Sequence, residues 1–338
     1  MRGDQGLLRA RDVSSMRRAV WDQFHAFLRT REASIVIVAV VLVIYFEVTN
    51  SNFLTNANLQ TLSQTIAAWT IIACGETMLL ICGEIDLSVG QVFALAPFIM
   101  YFAHDAGIPL VLALLLALAA SGVIALINGT ITVRLGVPSF VTTLGMFYLI
   151  NGLTLTISHG SPVETPGSPE FAAVMGAEGY AEIAWAIAIV IVMHIVLRHT
   201  RWGLHTVATG GNLLGASEAG INTNRIKTGN FVLTSVLGGF TGILEAFRIG
   251  STDPLAGGSN IMFLAVAAAV IGGTALAGGA GTIVGGFVGA IVLGVLRDGF
   301  TLEGINAFTF DLIIGAGILV TMLSNIHLGR LRQLGGRS

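Results

Sequence analysis

Residues 109–133 read PLVLALLLALAASGVIALINGTITV, without one charged side chain, and Arg134 follows directly. An α-helix needs about 20 apolar residues to cross the hydrocarbon of a bilayer. Lipid leaves backbone groups no external hydrogen-bond partner, so only helices and closed barrels cross it. Unbroken apolar runs, with no alternating strand-length patterns, select the helix. Working outward from 109–133, runs of the same kind predict ten spans: Ala33–Val48, Leu59–Cys82, Leu87–Ala103, Pro109–Val133, Pro138–Ile157, Ala181–Leu197, Thr228–Ile249, Ile261–Ala277, Thr282–Leu296 and Phe308–Ser324. The third follows the second almost without a loop, and Ala277–Gly281 joins the eighth to the ninth. Eight or nine spans result if two segments are re-entrant.

The composition of the 338 residues agrees: 54% are hydrophobic and 11% charged, where a globular protein carries about a quarter charged residues. Mean hydropathy is +0.82. A net charge of −2 with no basic bulk excludes a nucleic-acid partner. Cys74 and Cys82 form neither a CxxC pair nor a disulfide framework. Forty-three glycines in so apolar a chain point to close helix–helix contact. The fold class is therefore an all-α integral membrane protein: a cytoplasmic arm over 1–32, a membrane domain over 33–324 and a cytoplasmic tail over 325–338.

Lys and Arg collect on the cytoplasmic side of membrane proteins. With ten spans and the N-terminus inside, Arg2, Arg9, Arg11, Arg17, Arg18, Arg29 and Arg31 lie inside. So do Arg134, Arg198, Arg201, Arg225 and Lys227 in inner loops, and Arg330, Arg332 and Arg337 in the tail. The outer loop Ser158–Tyr180 has no Lys or Arg but carries Glu164, Glu170 and Glu178. The arm is no signal peptide, because its charge is spread over the whole segment and no small-residue cleavage site follows. Val13, Met16, Val20, Phe24 and Phe27 recur at helical spacing among arginines, which suits either an amphipathic helix on the inner leaflet or a mobile polar tail.

Two loops carry information. The inner connection His199–Lys227 reads HTRWGLHTVATGGNLLGASEAGINTNRIK. Thr209–Asn212 is expected to turn, Leu213–Ala219 to form about two helical turns, and Gly220 to stop them at positive φ. A short helix so held offers a cytosolic partner a stiff surface to push; the plainer reading is a surface loop. The outer segment Ser158–Gly179, with Pro162, Pro166 and Pro169, either caps a pathway or receives an extracytoplasmic partner, unless it is an ordinary loop.

Polar residues at membrane depth are costly and mark function. Glu84, Asp86 and Ser88 lie in the stretch Gly83–Gly90, reading GEIDLSVG, as candidates for a translocation path. Asp86 suits an N-cap, with its carboxylate accepting from Ser88 or Val89. Either this stretch is unwound inside the protein or it is a tight cytoplasmic turn. Glu245 and Arg248, three apart, pair on one helix face as a candidate outer gate. Glu76 and His194 are expected to be paired in the core, and Asp298 and Asp311 to serve interface or capping roles. Gly281, Gly285 and Gly289, with Gly286, Ala290 and Gly294 beside them, form packing seams within the protein or to a second copy. The chain has no Walker A loop, HExxH, GxSxG or paired Cys/His spacing, so no enzymatic role and no metal site is expected. Uphill transport with ATP would need a separate subunit.

GEIDLSVG resembles the GGIDLSVG signature of permease subunits of ribose-type sugar ATP-binding-cassette importers. Ala268–Phe300, AAVIGGTALAGGAGTIVGGFVGAIVLGVLRDGF, is similar to their GGTSLAGGxGxIxGTxxGAxxLGxLxNG segment. HTRWG, ATGGN and AGINTNRIK match their ATPase-docking segment, and GSPVETPG and LEAFRIGSTDP match in place and order. The likeness runs from about Phe53 to Leu323. Glu84 stands for the second glycine of the signature and adds a hydroxyl acceptor; Ala275 replaces a serine, and Ala280 a residue that is often basic.

The resemblance implies the ribose/vitamin-B12-type (type II-like) permease architecture. It implies a dimer with a second copy or paralogue, two cytosolic ATPase subunits and an extracytoplasmic sugar-binding protein, in a bacterial plasma membrane with both termini cytoplasmic. It makes Gly210, Gly211, Asn212, Ala216, Ser217, Ala219, Gly220 and Ile221 the coupling segment. This chain would bind no cofactor; ATP and Mg²⁺ are consumed by the partners, and membrane lipid surrounds it. The expected function is passage of a monosaccharide or polyol by alternating access, at the interface of two copies. Two rivals are a proton-coupled secondary transporter, which needs a carboxylate relay and usually an inverted repeat, and a membrane-embedded enzyme, which needs a clustered catalytic set.

Overall fold

Several helices begin where the sequence supplies a cap. Side-chain oxygens of Thr200, Asn212, Asn222 and Thr282 accept from the amides of Gly203, Gly215, Arg225 and Gly285, satisfying donors that a helix start leaves over. A computed structural model of the chain describes residues 31–306, 309–313, 315, 316 and 319. In order it contains α1 (Arg31–Thr49), α2 (Asn56–Ile81), α3 (Val89–Asp105), α4 (Leu110–Arg134), α5 (Ser139–Ile157) and β1 (Val163–Glu164). Then come α6 (Pro169–Ala172), a π-helical turn (Ala173–Ala177), α7 (Ala181–His199), α8 (Arg201–Gly211), α9 (Leu213–Glu218) and α10 (Thr223–Ile249). β2 (Ser251–Thr252), α11 (Gly258–Ile271) and α12 (Ile283–Leu302) complete the run, and residues 309–313 are helical. The amphipathic arm and the C-terminal tail expected from the sequence lie outside the described residues.

Each of the first nine expected spans coincides with a helix, and the tenth is described only in part. Among the described residues six helices are long and apolar enough to cross a membrane: α2, α4, α5, α7, α10 and α12; Ala33–Thr49 and α11 are shorter apolar helices. Three boundaries differ from expectation by five or six residues, one of them the end of α12, at Leu302 rather than Leu296. α10 begins at Thr223, inside the stretch read as inner loop, because Asn222 caps the polar turn Thr223–Lys227. α11 ends at Ile271 rather than Ala277, where Gly273 takes φ +90 and Thr274 N–H closes onto the Ala269 carbonyl.

α2 is the axis of the bundle, buried from Ile66 to Ile81 except at Ala68. α7, α10, α11 and α12 pack directly against it, α1 lies on α12, and α3 and α4 lie on α10. The outer faces of α4, α5 and α7 are apolar and exposed: Val111, Leu115, Val123, Tyr148, Leu149 and Ile191 are each more than half exposed. Contiguous apolar surface of this kind suits lipid rather than water.

The glycine seam lies within the protein. A Cβ at Gly285 would collide with the Gly272 carbonyl oxygen and one at Gly289 with the Ala268 carbonyl oxygen, so α12 rides directly on the α11 backbone; Gly281 faces Thr274 and Ile81. The bundle has two distinct ends. One carries α8 and α9. The other carries a two-residue antiparallel pairing, Val163 with Thr252 and Glu164 with Ser251, which ties the α5–α7 connection to the segment after α10. The sequence reading had no strand there; two residues are too few to leave a periodic signal.

Candidate functional site

At the α8–α9 end the segment between α7 and α10 is docked on the bundle. The expected turn over Thr209–Asn212 is shorter than its glycines suggest: Thr209, Gly210 and Gly211 complete α8, and only Asn212 leaves the helix. Tertiary packing overrides propensity here. Gly210 lies so close under the C-terminus of α2 that a Cβ would collide with the Ile81 carbonyl oxygen, which also accepts from Gly279 N–H at 2.8 Å.

Asn212 Oδ1 accepts from Gly215 N–H at 2.9 Å and starts α9. Gly220 ends it at φ +82, with Gly220 N–H donating to Ser217 O and Ile221 N–H to Ala216 O. This paired arrangement favours glycine in the left-handed position. Ala216 is buried, whereas Ser217, Ala219, Gly211 and Gly220 are exposed. Leu213 and Leu214, 50% and 70% exposed, present an apolar surface away from the bundle.

Asn230 fastens this segment to the bundle, a role the sequence reading missed. Its Oδ1 accepts from Trp202 Nε1–H at 2.8 Å; its Nδ2 reaches Thr206 Oγ1 at 3.2 Å, Cys82 Sγ at 3.1 Å and Met78 O at 3.4 Å. A fully buried amide in a spanning helix was the signal available, since such a group needs partners.

Next to this anchor runs the irregular stretch between α2 and α3. Of the two readings of GEIDLSVG, the buried one describes it: Asp86 and Ser88 are inaccessible to solvent. Asp86 Oδ1 accepts from Ser88 N–H at 2.9 Å and Ser88 Oγ–H at 2.6 Å, while Oδ2 accepts from Ser235 Oγ–H at 3.0 Å. Asn128 Nδ2 donates to Ser88 Oγ at 2.9 Å, and Thr143 Oγ1 accepts from Leu87 N–H at 3.1 Å. Side chains of α4, α5 and α10 thus satisfy a stretch that has left helical geometry, as an apolar interior requires. Glu84 is not a free hydroxyl acceptor. Its Oε1 meets Lys227 Nζ at 2.6 Å, and the two side chains are 12% and 16% exposed. The pair links this stretch to the first turn of α10.

Two expectations fail. Glu76 is fully buried on α2, yet neither carboxyl oxygen has a hydrogen-bond partner; its neighbour Asp86 is engaged elsewhere, and Thr77 Oγ1 is likewise unpaired. His194 Nδ1 is also without a partner, the ring lying edge-on to His199 at 6.2 Å. Asp298 accepts from Asn58 Nδ2 at 2.6 Å, and exposed Asp311 stands in the first turn of the helical stretch at 309–313.

At the hairpin end Arg248 grips Glu245 with two bonds, Nε to Oε2 at 2.8 Å and Nη2 to Oε1 at 2.5 Å. Buried Glu182, unanticipated from the sequence, stands 3.6 Å from the same Nε. Glu245 also lines a cavity of about 450 Å³ with Trp69, Phe93, Pro97, Asn260 and Arg297. The Arg297 guanidinium lies over the Trp69 ring at 5.6 Å. Beside the cavity α3 packs closely on α10 and α11: a Cβ at Gly90 would strike the Gly258 carbonyl oxygen, and one at Gly242 the Phe93 carbonyl oxygen. Among the described residues no group of three or more His, Cys, Asp or Glu is placed to hold a metal ion.

Residues 58–322 match the family model described as branched-chain amino acid transport system / permease component. The chain is 35% identical over 315 residues to the xylose/arabinose import permease protein of Sulfolobus acidocaldarius, covering 90% of this chain and 87% of that protein. It is 34% identical over 296 residues to the ribose import permease protein of Escherichia coli, covering 86% and 91%. Identity to the autoinducer 2 import system permease protein of Photorhabdus laumondii is 34% over 266 residues, 78% of each chain. No solved structure matches the chain.

Proposed function

The chain belongs to the branched-chain amino acid transport system / permease component family, and from that membership we propose that it is the membrane-spanning permease of an ATP-binding-cassette importer. Its solute is a monosaccharide or related polyol, as the names of the xylose/arabinose and ribose relatives suggest. An extracytoplasmic binding protein delivers the solute, and two cytosolic ATPase subunits, using ATP and Mg²⁺, drive a pair of permeases. The α8–α9 end faces the cytosol and the hairpin end faces out. Ten spans with cytoplasmic termini complete this reading; the charge distribution supports that orientation and an even number of spans.

The observation that carries this reading is the docked α8–α9 segment: α9 is capped at both ends by Asn212 and Gly220, the segment is anchored through Asn230 and Gly210, and its free face is apolar at Leu213 and Leu214. An ATPase closing beneath it would push α9 as a lever. The push passes to α2 through Ile81, and through Lys227–Glu84 to the stretch that holds Asp86. No catalytic side chain is needed in such a subunit.

The proton-coupled rival rests on one observation, the unpartnered carboxyl of Glu76. It lacks a relay, because Asp86 is engaged by serines and Glu245 by Arg248.

Gly220→Val and Asn212→Leu test the coupling role. A β-branched side chain in left-handed backbone costs about 1–2 kcal/mol, and loss of an N-cap about 1 kcal/mol. Both act on α9 and leave the spanning helices alone. Uptake into vesicles should be abolished while the chain purifies as a folded species; normal uptake in both variants, with the ATPase still attached, contradicts the coupling role.

A further inference from the structure

We infer that Glu182 is a second seat for the Arg248 guanidinium, so that Arg248 trades partners between Glu245 on its own helix and Glu182 on α7; what the trade does for transport rests on the proposed importer function. In the structure Arg248 bonds Glu245 twice, while Glu182 Oε2 stands 3.6 Å from Arg248 Nε. That oxygen is buried and accepts no hydrogen bond. An acid in the first turn of a helix is ordinary on dipole grounds, and exposure to water does not prevent that role. Glu182 instead is 2% exposed. Gly176, at φ +129, lets the π-helical turn close over it: a Cβ there would stand 2.8 Å from the Leu244 carbonyl oxygen and 3.1 Å from Glu182 Cγ. Among the described residues Glu245 and Arg248 are the charged groups that face it. A buried acceptor left unmatched beside a guanidinium calls for an explanation.

The two seats are close enough for exchange. A shift of about 0.5 Å brings Nε within hydrogen-bond range of Glu182. Nε is already given to Glu245, so a close bond to Glu182 takes it away, and a turn of the side chain moves the paired N–H groups from one carboxylate to the other. Such an arrangement has two discrete states. With Arg248 on Glu245 the pair lies within α10; with Arg248 on Glu182 it ties α10 to α7. These are the two helices that the α8–α9 segment joins at the opposite end of the bundle: α7 runs into α8 at Thr200, and α10 starts from the Asn222 cap after α9. A push on α9 that changes the angle between α7 and α10 is therefore felt at Arg248, which fastens their outer ends in one state and frees them in the other.

Glu182→Gln and Glu245→Gln each remove one charge with almost no change of shape, and they bias Arg248 in opposite directions. Spin labels on Glu178→Cys, just before α7, and Ile249→Cys, at the end of α10, report the separation of the two helices; both positions are exposed, and the native Cys74 and Cys82 are buried. In the full chain in detergent, with labelled copies diluted by unlabelled ones, the distance should be shorter in Glu245→Gln than in Glu182→Gln. In the importer reconstituted with its ATPase and binding protein, ATP should shift the distance when Glu182 and Glu245 are both present. Glu182→Gln should abolish that shift and lower pentose uptake about tenfold, the worth of one charged hydrogen bond. Equal distances in the two variants overturn the exchange, and a lowered unfolding temperature in Glu182→Gln would then make its role structural. Normal uptake by Glu182→Gln overturns its part in transport. Unequal distances in a chain whose importer takes up no pentose leave the exchange standing and remove the function on which its consequence rests.

Discussion

The α8–α9 end and the hairpin end of the bundle use their polar side chains differently. At the first, Asn230 joins α8 to α2, Lys227 meets Glu84, and Asp86 takes hydroxyl and amide donors from Ser88 and Ser235. At the second, Arg248 holds Glu245 beside a cavity open to the exposed side chains of Asn260 and Arg297. The first ties three segments of the chain together through buried side chains, and the second opens to solvent. Under the proposed function, transmission of force belongs to the first end.

The firm end breaks most completely at Gly210. Gly210→Val should abolish uptake, because its side chain meets the Ile81 carbonyl rather than a movable side chain; the cost exceeds the roughly 1–3 kcal/mol of ordinary overpacking. The contrasting substitution Gly145→Val on α5 meets open space and should retain most uptake and all of the assembly seen by size-exclusion chromatography.

Lys227→Met should have a smaller effect, costing about 1–3 kcal/mol because it leaves Glu84 unpaired. Adding Glu84→Gln should recover most of that loss in a double-mutant cycle followed by thermal unfolding in detergent. Additive losses would mean that the pair does not link α10 to the unwound stretch.

Smallest of all should be Glu76→Gln. A carboxyl group buried without partners stays neutral, and an amide is its near-isostere, so the unfolding temperature should hold and uptake persist at every pH tested. Loss of uptake, with a pH profile altered relative to wild type, would instead favour proton coupling.

The helices were legible in the sequence because uninterrupted apolar runs leave no other backbone solution in lipid, and residues 109–133 alone decide the class. Local punctuation was legible too: Gly220 at positive φ and Asn212 as a cap follow from side-chain chemistry over a few residues. What depends on distant neighbours was not. The helical state of Gly210 follows from Ile81, and the engagement of Glu84 from Lys227, 143 positions away. Glu182 and Asn230 gave only a weak signal, a polar residue in an apolar helix, and their partners lie on other helices. The cavity left none, because it is enclosed by α2, α3, α10, α11 and α12 together.

The most direct test of the whole account is solute accumulation in proteoliposomes holding this chain alone, or with its ATPase and binding protein. A conduit driven through α9 should concentrate a pentose only when both partners and ATP on the α9 side are supplied. Accumulation by the chain alone, under any ion gradient, would contradict it.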